Sequence, residues 1–242
     1  MSLRRHLPAT LRTELQALRR QLRDRRSGLR QRFVNVSGPT GAWPERLVVE
    51  QAIRPSALVS AKLHNLRRAA AVLNDRLIPP GALLSLGHLI GPPTARRGYQ
   101  AGRMLAEGKV VAEEGGGLCQ LSGVIYLLGL QAGLRVEERH PHSLDLYTET
   151  TRFCELGSDA TLVWAYKDLR LENTHAHPVA FRFQIAEDRL RGALCAPESV
   201  VPHEVVFVRE DLADGSRRVR TVVDGVERHE DRYVPLDPEG GG

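Results

Sequence analysis

The stretch Gly115-Gly116-Gly117-Leu118-Cys119-Gln120-Leu121-Ser122, continued by the apolar run to Gln131, decides how this 242-residue chain folds. From Cys119 onward, Leu121, Val124, Ile125, Leu128 and Leu130 recur at helical spacing, and Gly133 ends the pattern as a C-terminal cap would. The run is strongly apolar, so this is a buried helix with a cysteine in its first turn. Beyond it the sequence turns β-like, at 135–139, 159–166, 169–173, 179–185 and 190–193. In the tail, 205–208, 219–223 and 231–234 have hairpin character, with turn signals at Asp214-Gly215 and Asp224-Gly225. The fold class expected is α+β: a central buried helix carrying a cysteine at its N-terminus, packed on a mostly antiparallel sheet.

Working upstream, residues 56–77 carry Leu58, Leu63, Leu66, Ala70, Leu73 and Leu77 at helical spacing, with Ser56 in N-cap position and Pro79-Pro80-Gly81 as the terminator. A short strand is expected through Leu83–Leu86, a loop over 91–98, a helix or turn over 99–107, and a strand at Lys109-Val110-Val111. Nearer the start, Leu11, Leu15, Leu18 and Leu22 recur at three- and four-residue steps with arginines between them, the pattern of a basic amphipathic helix. Its leucines either pack on the domain or meet an anionic surface. Three segments result: a helical extension and linker over 1–44, an α+β domain over 45–200, and a hairpin-rich tail over 201–242 whose last residues, 238–242, are expected to be disordered.

Composition excludes several function classes. The formal net charge is +5 and the pI about 9.4. The excess is local: residues 1–32 hold ten arginines against Glu14 and Asp24, a net of +8, and the remainder carries a net of −3. A slightly acidic domain joined to a basic helix, with no nucleic-acid motif, is not expected to bind nucleic acid. No apolar run approaches the roughly 18–20 residues of a membrane span, and no apolar core of a signal peptide follows the basic N-terminus. Three widely spaced cysteines without a CxxC pair read as reduced thiols of a cytoplasmic protein, with the basic helix docking at the inner membrane face.

Chemistry concentrates around Cys119. A helix N-terminus favours a thiolate, and three preceding glycines leave backbone N–H groups free to approach a carbonyl oxygen. His140 and His142 stand two apart in an extended segment and so face one side; Asp159 follows 17 residues later. Cysteine, histidine and acid in that order are the arrangement of papain-like and transglutaminase-like thiol enzymes, an analogy of order alone. Cys119 would be the nucleophile, His142 or His140 the base and Asp159 the orienting acid. Gly115, Gly116, Gly117, Gln120, Ser122 and Tyr99 are the candidate substrate-binding or oxyanion residues. Three readings compete. A cysteine in an apolar helix is commonly just a small hydrophobe. Cys119, His140 and His142 would also suit zinc with a water. The same glycine-lined cleft would equally serve a non-catalytic peptide-binding protein. No cofactor is expected.

The segments Gly91-Pro92 with Thr94 and Gly98-Tyr99, the GGGLCQLS stretch at 115–122, Val136 to Ser143, Asp159-Ala160-Thr161, and Asp168-Leu169 with Glu172-Asn173 together resemble the VanW family over about residues 60–195. The arginine-rich start resembles its short, stand-alone members. Two departures stand out: Gly123, where a serine or threonine is common, and Leu84-Ser85-Leu86-Gly87 in place of a Phe-Ser-Phe-Asn-like stretch. The resemblance implies a bacterial protein with a cell-wall or glycopeptide-resistance association and a peptide-like or cell-wall-precursor ligand. It does not imply a reaction.

Overall fold

The computed structural model describes residues 8–38, 40–106, 109–145, 152 and 154–235. The helix expected from the apolar run is α4, Leu118–Gln131. Its C-terminus closes as a Schellman turn: Gly133, at φ 72°, donates to the Leu130 carbonyl, and Leu134 donates to the Gly129 carbonyl at 2.8 Å. With Leu121, Val124, Ile125 and Leu128 fully buried, α4 is the axis of the core.

Sheets cover α4 on two sides, and the chain is α+β. One sheet runs β1 (Glu45–Ala52), β9 (Arg189–Cys195), β8 (Ala180–Ile185), all antiparallel. The other runs β2 (Leu83–Ser85), β7 (Arg170–Glu172), β5 (Arg135–Glu138), also antiparallel. Contact with the first sheet is intimate because Gly192 on β9 has no side chain: a Cβ there would overlap Val124 and press Leu128 at 3.2 Å. The helix α2 (Val59–Leu73) packs beside α4 through Leu63, Leu66, Ala70 and Leu73.

The remaining elements are peripheral. The short α3 (Leu86–Ile90) follows β2 directly, its first turn capped by Ser85, which accepts from His88 N at 3.2 Å. A hairpin pairs β3 (Ala101–Ala106) with β4 (Lys109–Glu114). The tail folds as β10 (Val205–Asp211), β11 (Arg217–Val223) and β12 (Val226–Pro235), its turns at both predicted Asp-Gly pairs. A parallel pairing of β12 with β6 (Leu144–Asp145) ties the tail to the domain. Among the described residues no helix is long and apolar enough to cross a membrane.

Several local expectations are corrected. Helix α2 starts at Val59 rather than behind a Ser56 cap. It stops at Leu73 because Asn74 turns its amide to the backbone of β8, donating to Phe183 O and accepting from Phe183 N at 2.8 Å. Within the 99–107 stretch, Ala101–Ala106 form strand β3 rather than a helix or turn, and residues 159–166 are not a strand; they lie in irregular chain held by Thr161 N donating to His140 O at 2.7 Å. Strand β1 carried no signal that singled it out. Residues 238–242 lie outside the described residues.

The N-terminal helix α1 (Ala9–Arg26) is bound to the domain rather than separable from it. Its inward face is polar. Asp24 receives both Arg170 guanidinium nitrogens at 3.0 and 2.6 Å, and Arg20 pairs with Glu138 and Asp168. Asp24 and Arg170 are both buried, and Arg170 lies over the Phe33 ring at 4.8 Å. Three of the four leucines, by contrast, face outward: Leu11, Leu18 and Leu22 are exposed, and Leu15 is half-buried.

Candidate active site

Cys119 stands in the first turn of α4, on the wall of a cavity of about 200 Å³ that Gly115, Gly117, Gln120, His142, Asp159 and Thr161 also line. The helix can start here because Gly117 adopts φ 101°, and because a Cβ at Gly117 would meet the Lys62 side chain at 2.7 Å. Gly116 serves the hairpin instead. It rests against Gly102, where any Cβ would overlap the Gly102 backbone. The glycine run therefore has two jobs, a left-handed helix start and a backbone-to-backbone contact. The Gln120 N–H is taken by Gly117 O at 3.0 Å, whereas the Cys119 N–H has no backbone acceptor among the described residues. The Cys119 amide is thus open to a ligand oxygen.

The His142 ring lies close enough to the Cys119 thiol to act on its ionisation, and the thiol lies 4.0 Å from the Leu162 carbonyl. His142 Nδ1 is bound to Asp159 Oδ2 at 2.6 Å, which leaves Nε2 as the nitrogen for the sulfur. Asp159 Oδ2 also accepts from the His142 backbone N–H at 2.7 Å, so one carboxylate oxygen fixes both the main chain and the ring of the histidine. Its second oxygen, Oδ1, accepts from Tyr233 OH at 2.6 Å and from Arg139 Nη2 at 3.2 Å.

Charges follow from these contacts. Burial works to raise the Asp159 carboxyl, but the His142 bond and the Arg139 charge outweigh it and hold the group down at about 2. Burial works to lower His142, yet its bonds to Asp159 and Cys119 carry it well above the usual histidine range. Burial likewise raises a thiol, but the His142 bond and charge bring Cys119 below its ordinary value. The pair is therefore biased towards thiolate and imidazolium, the reactive form of a cysteine nucleophile. Burial pushes Cys154 up to about 11 and raises Cys195, so neither resembles Cys119.

The other expected site residues divide. His140 is turned away: its Nε2 lies 3.0 Å from Glu138 Oε1, in the cluster that captures α1. Cys119, His140 and His142 therefore do not converge as zinc ligands, and among the described residues no group of three His, Cys, Asp or Glu could hold a metal ion. Ser122 is fully buried and its hydroxyl is committed to the Cys119 and Ala160 carbonyls, which pins the helix start to the Asp159 segment. Tyr99 is buried in the core under Arg68, away from the cavity. Gln120 lines the cavity, but its Nε2 donates to Ala52 O at 3.0 Å and is not available to an oxyanion.

Three supporting residues escaped the sequence reading. Arg139, buried, donates to the Asp159 and Gly157 carbonyls at 2.8 and 2.9 Å and pairs with Asp231; Tyr233 and Asp231 both come from β12. Only the adjacency of Arg139 to His140 hinted at a role; nothing in the tail did. Gln51, Gln120 and Thr161 each place a buried oxygen without a hydrogen-bond partner among the described residues, and all three line the cavity.

A family model described as VanW like protein matches residues 61–195, which contain Cys119, His142 and Asp159. Among curated proteins, the chain is 26% identical over 122 residues to the uncharacterized protein YoaR of Bacillus subtilis, covering 50% of this chain and 39% of YoaR. It is 32% identical over 112 residues to the vancomycin B-type resistance protein VanW of Enterococcus faecalis, covering 46% of this chain and 41% of that protein. The chain thus spans about two fifths of the length of these relatives. No solved structure matches. With more than half of its length under the family model, the chain belongs to the VanW family.

Proposed function

We propose that this protein is a thiol-dependent acyl-transfer or hydrolytic enzyme acting on an amide bond of a peptidoglycan-related peptide. The observation that carries the reading is that Cys119, His142 and Asp159 share one cavity wall, with His142 held by Asp159 and the acid fixed by four hydrogen bonds. The cavity wall suits an amide substrate because it carries polar residues, Gln51, Gln120 and Thr161, among its apolar ones. The peptidoglycan association rests on the relative named as a vancomycin resistance protein.

In this reading the Cys119 thiolate attacks the amide carbonyl, and the negative oxygen that forms is met by the Cys119 N–H. His142, protonated, gives its Nε2 proton to the leaving amine as the C–N bond breaks, leaving a thioester on Cys119. The neutral ring then takes a proton from an attacking water or amine, the thioester opens to release the thiolate, and the thiolate–imidazolium pair is restored. Asp159 keeps the ring in the tautomer and orientation both steps require.

Intact-mass measurement after incubation with a disaccharide pentapeptide tests this. The reading expects an acyl adduct on Cys119, or a shortened peptide in solution, abolished by Cys119→Ala. It is overturned if neither appears across disaccharide tri-, tetra- and pentapeptides.

A further inference from the structure

The N-terminal helix holds its two faces in opposite environments. At about 100° per residue, Ala17, Arg20 and Asp24 share one side of α1, and that side is the docked one: Ala17 and Asp24 are buried, while Arg20 and Asp24 engage Glu138, Asp168 and Arg170. Leu11, Leu15, Leu18 and Leu22 form a stripe on the diametrically opposite side. Leu11, Leu18 and Leu22 are 45%, 52% and 41% exposed, although leucine ordinarily fills a core. Arg12, Arg19, Arg23 and Arg26 run along one flank of the stripe, all exposed, and none is ion-paired among the described residues. The one acid on the outward half is Glu14, since Asp24 is neutralised inside by Arg170.

We propose that this outward face of α1 is a docking surface for an anionic lipid bilayer, on which the helix lies flat with its leucines among the acyl chains and its arginines among the headgroups. Three features favour that occupant. The arginine row demands a negatively charged surface. A second copy of this chain would bring two such rows together, and like charge opposes it. The helix is already bound along its far side, so a deformable surface fits the stripe better than a groove that must enclose a helix. Because the polar face is clamped to the domain, the whole molecule would be carried to the membrane, with the helix as a fixed foot rather than a tether.

Co-sedimentation of the full chain tests this with vesicles of phosphatidylcholine alone and of phosphatidylcholine with 30% phosphatidylglycerol. The proposal expects binding to the anionic vesicles that falls at least tenfold in 0.5 M salt. It also expects at least a tenfold fall in the Arg12→Gln/Arg19→Gln/Arg23→Gln/Arg26→Gln variant, and a comparable fall in the Leu11→Ser/Leu18→Ser/Leu22→Ser variant at unchanged charge. All these side chains are exposed, and an unchanged melting temperature confirms that the variants fold. Equal binding to both vesicle types, or none, overturns the proposal. Binding that survives the leucine variant overturns it as well, since charge alone would then account for adsorption. A native chain that sediments as a dimer while the leucine variant sediments as a monomer assigns the face to a second copy and also overturns it.

Discussion

Replacing Asp159 by Asn keeps the shape of the side chain and removes its charge, which isolates what the carboxylate does for the thiol. In the native protein Oδ2 accepts from both the His142 backbone and Nδ1, while Oδ1 accepts from Tyr233 and Arg139. An amide in the same place must turn its NH2 towards one of these donor pairs, so a donor meets donors on one side. The charge-assisted bond to the imidazolium is worth about 1.5–3 kcal/mol. At about 1.4 kcal/mol per pKa unit, its loss lowers His142 by about 1–2 units. The equilibrium between thiolate–imidazolium and the neutral pair then shifts towards the neutral pair by about ten- to a hundredfold. Asp159 also raises the thiol directly through its charge, but this is the smallest of the named influences on Cys119, so losing it trims the effect without reversing it.

The assay is the rate of Cys119 carbamidomethylation against pH, followed by peptide mass spectrometry. Native protein should show a plateau across neutral pH. In Asp159→Asn the plateau should fall, by as much as that same factor, and the lost rate should return only towards pH 9–10, where a thiol ionises without help. Cys154, held up at about 11 by burial, reports on folding in the same experiment: it should stay unreactive below pH 9 in both proteins. Superimposable profiles would refute the coupling of Asp159 to the thiol. Equal slowing at every pH would refute it too, since it would mean lost access rather than lost ionisation.

Other outcomes follow from the same contacts. In native protein at pH 7, Cys119 should alkylate well ahead of Cys154 and Cys195, whose thiols burial raises; equal rates would make Cys119 an ordinary core cysteine. Asp24→Ala strands the buried Arg170 with Asp168 and Glu138 alone, and should cost about 3 kcal/mol, or roughly 6–12 °C in a thermal melt. Gly116→Ala should prevent accumulation of folded protein, because the new methyl overlaps the Gly102 backbone; normal yield and melting would show that the two loops can part. Asp159 is held below its unfolded value of 3.8, so its stabilisation is present above that pH and is lost as pH falls towards 2. The urea midpoint of native protein should therefore drop more between pH 5 and pH 3 than that of Asp159→Asn.

The parts of this protein that the sequence made legible are those governed by local rules. Residues 118–131 are too uniformly apolar to lie anywhere but in the core, and Gly133 sits where only a left-handed residue closes a helix. Asp-Gly pairs marked both tail turns because those turns need the same backbone freedom. The order of Cys119, His142 and Asp159 was legible from residue type, but the choice between His140 and His142 was not. It is made by Glu138, which binds the His140 ring because Arg20 and Arg170 have already fixed that carboxylate. The 99–107 stretch was misread because its strand depends on pairing with 109–114, a partner no local signal names. Residues 159–166 alternate like a strand yet serve as a scaffold for a carboxylate, and side-chain bonds from Ser122 and Arg139 hold them where a ladder would have been expected.

Part of the support of Asp159 comes from outside the region that the family model matches. Residues 61–195 contain the thiol, the ring and the acid, but two of the groups around the acid, Tyr233 and Asp231, arrive from β12. Asp231 matters because Arg139 is buried and faces both acids: it neutralises the half of Arg139 that Asp159 does not, and so keeps the guanidinium oriented on Asp159. Tyr233→Phe removes one neutral donor from Asp159 and leaves its charge, so it should raise the Asp159 carboxyl modestly and change Cys119 alkylation at pH 7 by only a few fold. Asp231→Asn lets Arg139 lean on Asp159 alone, which draws the carboxylate charge away from His142 and should reduce the alkylation plateau as Asp159→Asn does, by a smaller factor. If instead Tyr233→Phe has the larger effect, the tyrosine hydroxyl and not the buried ion pair sets the charge on the acid, and the tail acts on the site through a hydrogen bond rather than through electrostatics.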